Sequence, residues 1–167
     1  MARIPYVEPA TAPPKVKEVF DRLPVPLNIF KIMAHAETNF RPLIALGTSI
    51  LTEQQLSARL RELAILRVAL LNGADYEYRA HLPFALQEGL SQEQIDALPG
   101  WPLSPRFDER ERAVLAYTDA MTRGIRVPDA IFEGLRRHFD ERETVELTAT
   151  IGGYNLVSRF LVAMQLD

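Results

Sequence analysis

The chain has 167 residues, of which 47% are hydrophobic and 25% charged, and its formal net charge is −3 at pH 7. This length and balance indicate one globular domain with its own core, and the slight negative charge excludes the basic footprint of a nucleic-acid-binding protein. The absence of cysteine excludes a disulfide framework and a thiolate metal cluster. No segment resembles a signal peptide or a membrane span, so we expect a soluble, cytoplasmic protein.

The N-terminal region is rich in proline, with four prolines in residues 1–14. Proline lacks an amide donor and favours extended backbone, so we predict an extended arm over residues 1–14, of the kind that can lie across a neighbouring subunit. Residues 15–167 are predicted to form a single helical domain. Long period-two alternation and internal repeats are both missing, and the predicted fold is an all-α bundle of about eight helices.

Capping residues and apolar periodicity place the helices along the chain. They predict helices at about residues 15–23, 27–36, 38–51, 60–71, 76–89, 91–98, 108–123, 128–139 and 141–164. Thr52 is predicted to cap the turn before Leu56, and capping boxes are predicted at Ser91 with Gln94 and at Asp140 with Glu143. The pair Gly152-Gly153 inside the last helix predicts a close backbone approach, because two glycines weaken a helix.

The helix over residues 60–71 is the most apolar part of the chain, with nine apolar residues in twelve. A helix that is apolar almost all round is predicted to be buried. Glu62 is the anomaly in it. A carboxylate in such surroundings must be paired, hydrogen-bonded or protonated, so Glu62 is a candidate functional residue.

A second helix is predicted to start directly after the first. Asn72-Gly73 is a helix stop and Asp75 is a predicted N-cap, which places Glu77 in the first turn, where free amides favour an anion. His81 follows four residues later on the same face and is predicted to contact Glu77. Pro83 is expected to kink the helix or to mark a second start. The two side chains form a possible acid/base site.

These residues resemble the signature of the carboxymuconolactone decarboxylase and alkyl hydroperoxidase D superfamily. That signature is a helix with a Glu, a Cys-x-x-Cys at the next helix start, and a His four residues after the second Cys. Here Glu62 takes the Glu position, Ala74 and Glu77 the two Cys positions, and His81 the His position. The resemblance covers roughly residues 40–165, and it includes the segments AHLPFALQEGLSQEQIDAL, FDERERAVLAYTDAMTRG and GGYNLVSRFLVAMQLD.

The resemblance implies the same all-α fold and a homo-oligomer, a trimer or hexamer. Because both cysteines are missing, the dithiol chemistry of the hydroperoxidase branch cannot run, and Glu77 in place of the second Cys looks like the decarboxylase branch. We therefore expect no peroxide reduction. The implied function is that of a cofactor-free acid/base enzyme, acting by decarboxylation or proton transfer on a small unsaturated lactone or carboxylic acid in aromatic-compound catabolism.

The predicted catalytic residues are His81, Glu77 and Glu62. His81 is the natural proton donor, because an unperturbed imidazole titrates near neutrality; Glu77 would orient and charge it, and Glu62 would be a second acid or a hydrogen-bond partner. Two alternatives stay open. The same side chains could hold iron or manganese, although His35 and His138 lack ligand spacing and look like residues at helix C-termini. The chain could also be a non-catalytic binding or assembly protein that has lost the dithiol.

Three further residues are candidates for substrate binding. Tyr78 lies near His81 in the sequence, Trp101 lies in the proline-rich segment PGWPLSP, and Arg159 follows Gly152-Gly153 in the last helix. Trp101 is either a lid over a pocket or a hydrophobic plug. Arg159, with Tyr154 and Asn155, has either a pocket role or a role between helices. No metal ligand and no cofactor are predicted.

Overall fold

The computed structural model describes residues 2–166; Met1 and Asp167, the ends of the predicted arm and of the predicted domain, lie outside them. Regular structure within this range is helical throughout, which confirms the predicted all-α class. The helices are α1 (Pro14–Phe20), α2 (Asn28–Met33), α3 (Glu37–Thr52), α4 (Ala58–Asn72), α5 (Asp75–Gln87), α6 (Gln92–Ala97), α7 (Glu109–Arg123), α8 (Asp129–Arg136) and α9 (Glu141–Met164). Two 3-10 segments are added at Pro9–Thr11 and Leu98–Leu103.

Helix α4 lies at the centre of the bundle and packs against α5, α7 and α9. Every residue from Leu60 to Ala69 is buried, as the apolar pattern predicted. Ser57 caps the helix by accepting a hydrogen bond from the amide of Leu60, and Gly73 ends it with a φ of 63°. A positive φ favours glycine, so the turn between α4 and α5 depends on this residue.

Local details differ from the predicted caps at two helix starts. Thr52 is the last residue of α3 and donates its hydroxyl to the carbonyl of Thr48, so it caps nothing. Asp75 is the first residue of α5, and Ala74 takes the N-cap position without a side-chain bond. The cause is the short connection, since the amide of Ala74 bonds to the carbonyl of Ala69 and closes α4. The capping boxes predicted at Ser91 and Asp140 are both confirmed.

Pro83 neither divides α5 nor restarts it, because the helix runs through it from Asp75 to Gln87. This corrects the expectation of a second helix start after His81. Helix α3 likewise continues through Pro42. In both helices, packing against neighbouring elements outweighs the loss of one amide donor.

The N-terminal arm lies against its own chain. The amide of Val7 donates to the carbonyl of Lys31 on α2, at 3.1 Å. Nε2 of His35, just after α2, lies 2.8 Å from the carbonyl oxygen of Pro5. The imidazole therefore bonds to the arm, and not to the last carbonyls of α2 as its position predicted. The arm covers a second apolar cluster, in which α1, α2 and the start of α3 meet the end of α9.

The double glycine of α9 has two different environments. A Cβ atom at Gly153 would lie 3.0 Å from Cδ1 of Ile50 on α3, whereas one at Gly152 would meet no atom within 4 Å. The predicted close approach is therefore confirmed at Gly153 and wrong at Gly152, which is exposed. The contact brings α9 close to the bundle in the turn that precedes Tyr154.

No helix within residues 2–166 combines the length and apolarity needed to cross a membrane.

Candidate active site

Glu62 and His81 form a hydrogen-bonded pair between α4 and α5. Nδ1 of His81 lies 2.8 Å from Oε2 of Glu62; the Glu62 side chain is 2% exposed and the His81 side chain 13%. A carboxylate can only accept hydrogen bonds, so Nδ1 carries the proton of this bond. The second ring nitrogen, Nε2, is then left to exchange a proton with a ligand.

Glu77 has a different partner from the one predicted. Its Oε1 accepts a hydrogen bond of 2.7 Å from the hydroxyl of Ser158 on α9, and its Oε2 has no partner within the described chain. The predicted pairing of Glu77 with His81 is therefore wrong, because Ser158 holds the carboxyl towards α9. Burial raises the pKa of Glu77 to about 8, although the Ser158 bond opposes the shift. At pH 7 the side chain is mostly neutral and does not charge the imidazole.

Tyr154 completes the wall of the site from α9. Its ring stands edge-on to the imidazole of His81, with centroids 5.0 Å apart and planes at 87°. Burial, reinforced by the carboxylates of Glu62 and Glu77, raises the pKa of Tyr154 well above its usual range. The hydroxyl therefore stays protonated and can donate a hydrogen bond. Phe84, 56% exposed, lies at the rim with its ring centroid 6.1 Å from that of His81.

Arg61 is a further charged residue at the site, and sequence reasoning missed it. It is 8% exposed, and its Nε lies 3.8 Å from Oε1 of Glu62, the oxygen that His81 does not use. A signal for it was present, since Arg61 breaks the same apolar helix that made Glu62 an anomaly. Ser158 gave no comparable signal, because a serine inside a helix is ordinary.

Of the three predicted substrate-binding residues, Trp101 and Arg159 lie away from His81, whereas Tyr78 precedes it by three residues on α5. Tyr78 is partly buried against the main core, where burial and then Asp96 raise its pKa. Trp101 packs in the same core and donates its indole N–H to Asp119; it lines a cavity of about 520 Å³ whose lining does not include His81. Arg159 is exposed and follows Tyr154 by five residues, which places it about 140° further round α9.

The structure gives Tyr154 and Asn155 different roles. Asn155 lies between helices, with its amide donating to the hydroxyl of Thr122 and its oxygen accepting from Asn72. Tyr154 belongs to the site.

For a metal, no group of three or more His, Asp or Glu side chains within residues 2–166 is arranged as a ligand set. The metal-dependent alternative therefore gains no support from the geometry.

The fold and the site together define a class: an all-helical protein whose buried central helix presents a carboxylate to a histidine on the next helix. The family model named "Carboxymuconolactone decarboxylase family" matches residues 38–120. The chain belongs to this family, within the superfamily that also contains AhpD-like proteins. The resemblance inferred from Glu62, Ala74, Glu77 and His81 is thereby confirmed.

Individual relatives show how far the similarity extends. The uncharacterized protein YdfG of Bacillus subtilis (strain 168) is 30% identical over 106 residues, which are 62% of this chain and 72% of that protein. A crystal structure of a protein of unknown function from Agrobacterium tumefaciens, ATU0492, described in connection with the antioxidant defence protein AhpD, is 30% identical. It has a TM-score of 0.76 over 81% of this chain and 94% of that one.

The debrominase Bmp8 shares the fold at greater sequence distance. The structure of its complex with 2,3,4-tribromopyrrole, solved for a variant of that enzyme, is 18% identical, with a TM-score of 0.81 over 100% of this chain and 93% of that one. At this identity the similarity concerns the fold alone.

Proposed function

We propose that this protein is a cofactor-free acid/base enzyme in which His81, held by Glu62, transfers a proton on a small unsaturated lactone or carboxylic acid. The observation that carries the proposal is the 2.8 Å bond between Nδ1 of His81 and a carboxylate that is 2% exposed. A buried carboxylate fixes the tautomer and orientation of the imidazole and stabilises its protonated form. Membership of the family supports the substrate class, and we place the reaction in aromatic-compound catabolism in the cytoplasm.

The proposed chemistry needs no electron acceptor from the protein. In an acid whose carboxylate-bearing carbon is conjugated through an alkene to a lactone carbonyl, the bond to the carboxylate breaks and carbon dioxide leaves. The electron pair moves through the alkene to the carbonyl oxygen and forms a dienolate. Nε2–H of the His81 imidazolium then protonates carbon, and the carbonyl is restored. In a proton-transfer reaction the neutral imidazole first removes a proton and then returns it.

Other side chains of the site have supporting roles in this proposal. Tyr154, whose hydroxyl stays protonated, is suited to stabilise negative charge on an oxygen of the dienolate. Glu77, mostly neutral at pH 7 because burial raises its pKa to about 8, is suited to supply or store a proton. A thiol-based reaction has no nucleophile here, since the chain contains no cysteine.

The experiment is proton exchange followed by nuclear magnetic resonance in D₂O. An unsaturated lactone acid is incubated with the protein, and both deuterium incorporation and loss of carbon dioxide are measured. His81→Asn should slow the reaction about 100- to 10,000-fold, the usual contribution of a general acid or base. His35→Asn is the matched control, because this imidazole bonds to the N-terminal arm, and its rate should equal that of the wild type. Full activity in His81→Asn would overturn the proposal.

A further inference from the structure

Arg61 is a buried cation without a hydrogen-bond partner for its Nε. The residue is 8% exposed, and no atom of the described chain accepts a hydrogen bond from Nε. Its nearest ion-pair contact, Oε1 of Glu62 at 3.8 Å, lies beyond hydrogen-bond distance. The other oxygen of Glu62 is engaged by His81. Since a buried charge is costly unless it is paired, this arrangement calls for a further anionic partner.

A second buried arginine on the same helix shows how the chain satisfies such a group when the role is structural. Arg67 is 4% exposed and makes two bonds to the carboxylate of Asp119, at 2.6 and 2.8 Å. A third bond, of 2.9 Å, reaches the carbonyl oxygen of Leu98. Arg61 lacks an equivalent set of acceptors, so a structural role like that of Arg67 does not explain why Arg61 is buried.

The position of Arg61 relates it to the acid/base pair. Nε of Arg61 lies 3.8 Å from one oxygen of the Glu62 carboxylate, and Nδ1 of His81 lies 2.8 Å from the other. Burial and the carboxylates of Glu62 and Glu77 raise the pKa of Tyr154, whereas the positive charge of Arg61 lowers it to a smaller extent. An anion that contacted Arg61 would therefore lie close to the Glu62–His81 pair.

We propose that Arg61 binds a carboxylate of the ligand, directly beside the Glu62–His81 pair. The planar guanidinium matches a carboxylate in geometry and binds it with charge-assisted hydrogen bonds. This inference rests on the proposed function for the position of the ligand, and it adds the residue that selects an anion.

The proposal also restricts which carboxylate is bound. An ion pair stabilises the negative charge of a carboxylate, and decarboxylation must remove that charge from the leaving group. The carboxylate on Arg61 is therefore one that the product retains. The substrate then either carries two carboxylates, of which one leaves, or carries one and undergoes proton transfer without loss of carbon dioxide.

The test compares a small unsaturated carboxylate with its neutral amide, crotonate with crotonamide, in titrations followed by nuclear magnetic resonance at pH 7. Wild-type protein should bind crotonate more tightly than crotonamide. Arg61→Gln should weaken crotonate binding about tenfold or more, the scale of one charge-assisted bond, and should change crotonamide binding less than about twofold. The affinity of Arg61→Lys for crotonate should lie between those of the wild type and Arg61→Gln. Arg137→Gln, at an exposed arginine after α8, should bind both compounds as the wild type does.

Three results would overturn the proposal. One is equal binding of crotonate and crotonamide by the wild type, and another is unchanged crotonate binding in Arg61→Gln. The third is loss of crotonate binding in Arg61→Gln together with a lower mass in light scattering, because the loss would then follow from a changed structure. If Arg61→Gln is unstable, Arg61→Lys, which keeps the charge, is measured in its place. The titration involves no turnover, so failure of proton exchange alone would count against the proposed function and leave this inference intact.

Discussion

His81 bonds through Nδ1 to Glu62, nineteen residues earlier in the chain and on another helix, at 2.8 Å. The glutamate only four residues away, Glu77, bonds to Ser158 on α9 instead. The two carboxyl groups therefore differ in kind: one is paired with an imidazole, and the other is buried with one oxygen unpartnered. This difference separates the effects expected of their substitution.

Glu62→Gln should impair the reaction without unfolding the protein. The amide keeps the size of the side chain but removes the charge that stabilises imidazolium, and its NH₂ group can present a donor to Nδ1, which would disfavour the productive tautomer. We expect the rate to fall about 100-fold or more, on the scale of general acid/base catalysis, with a circular dichroism spectrum like that of the wild type. A loss of thermal stability with the rate unchanged would instead identify Glu62 as a structural residue.

Glu77→Gln should change how stability depends on pH. Burial raises the pKa of Glu77 from 4.5 to about 8, so between these values the folded chain holds a proton that the unfolded chain releases. The stability contributed by the protonated form is complete below pH 4.5 and is lost as pH rises through about 8. Relative to Glu77→Gln, the wild type should lose up to about 1.4 kcal/mol per pH unit in this window.

The measurement is urea unfolding of both proteins at pH 5, 6.5 and 8. Glu88→Gln, at an exposed carboxylate just after α5, is the matched control and should show a constant difference from the wild type. A constant difference for Glu77→Gln as well would mean that Glu77 is ionised in the folded protein at neutral pH.

Alanine at the two adjacent glycines of α9 should have different effects. Gly152→Ala meets no atom within 4 Å and should stabilise the monomeric unit by about 0.5–1 kcal/mol through helix propensity. Gly153→Ala places a methyl group 3.0 Å from Cδ1 of buried Ile50, and overpacking should make it about 1–3 kcal/mol less stable than Gly152→Ala. Unfolding in urea measures both. Ile50→Val removes the Cδ1 atom and should restore part of the loss in a double-mutant cycle; additive effects would contradict the contact.

We predict a homo-oligomer, a trimer or hexamer, and the exposed face of α9 as part of its interface. Four residues with helical spacing share this face, Val145, Ala149, Gly152 and Leu156, and the two large ones are 67% and 46% exposed. Light scattering at micromolar concentration should give a multimeric mass, and Leu156→Glu should lower it. Leu103→Glu, at a residue 95% exposed at the end of the second 3-10 segment, should leave the mass unchanged. A monomeric wild type would contradict the prediction.

Sequence reasoning located the centre of the fold and part of the site. The apolar run around Glu62 carried enough information to predict a buried helix, and capping boxes at Ser91 and Asp140 identified two helix starts. The partner of each buried polar group was harder to predict, because it depends on which helices meet. Glu77 and Ser158 are 81 residues apart, and no local pattern shows that α5 and α9 pack together. Local spacing therefore favoured the wrong carboxylate for His81.

Glu62 and His81 lie on helices that differ in how far their neighbours cover them. Helix α4 is covered on every side from Leu60 to Ala69, so we expect its amides to exchange with solvent only when the whole domain opens. Helix α5 has exposed Phe84 and Leu86, and Pro83 leaves the carbonyl of Arg79 without a helical donor. Local opening of α5 should therefore require less free energy than opening of α4. A ligand would then gain entry by displacement of the imidazole, while the carboxylate of Glu62 keeps its place.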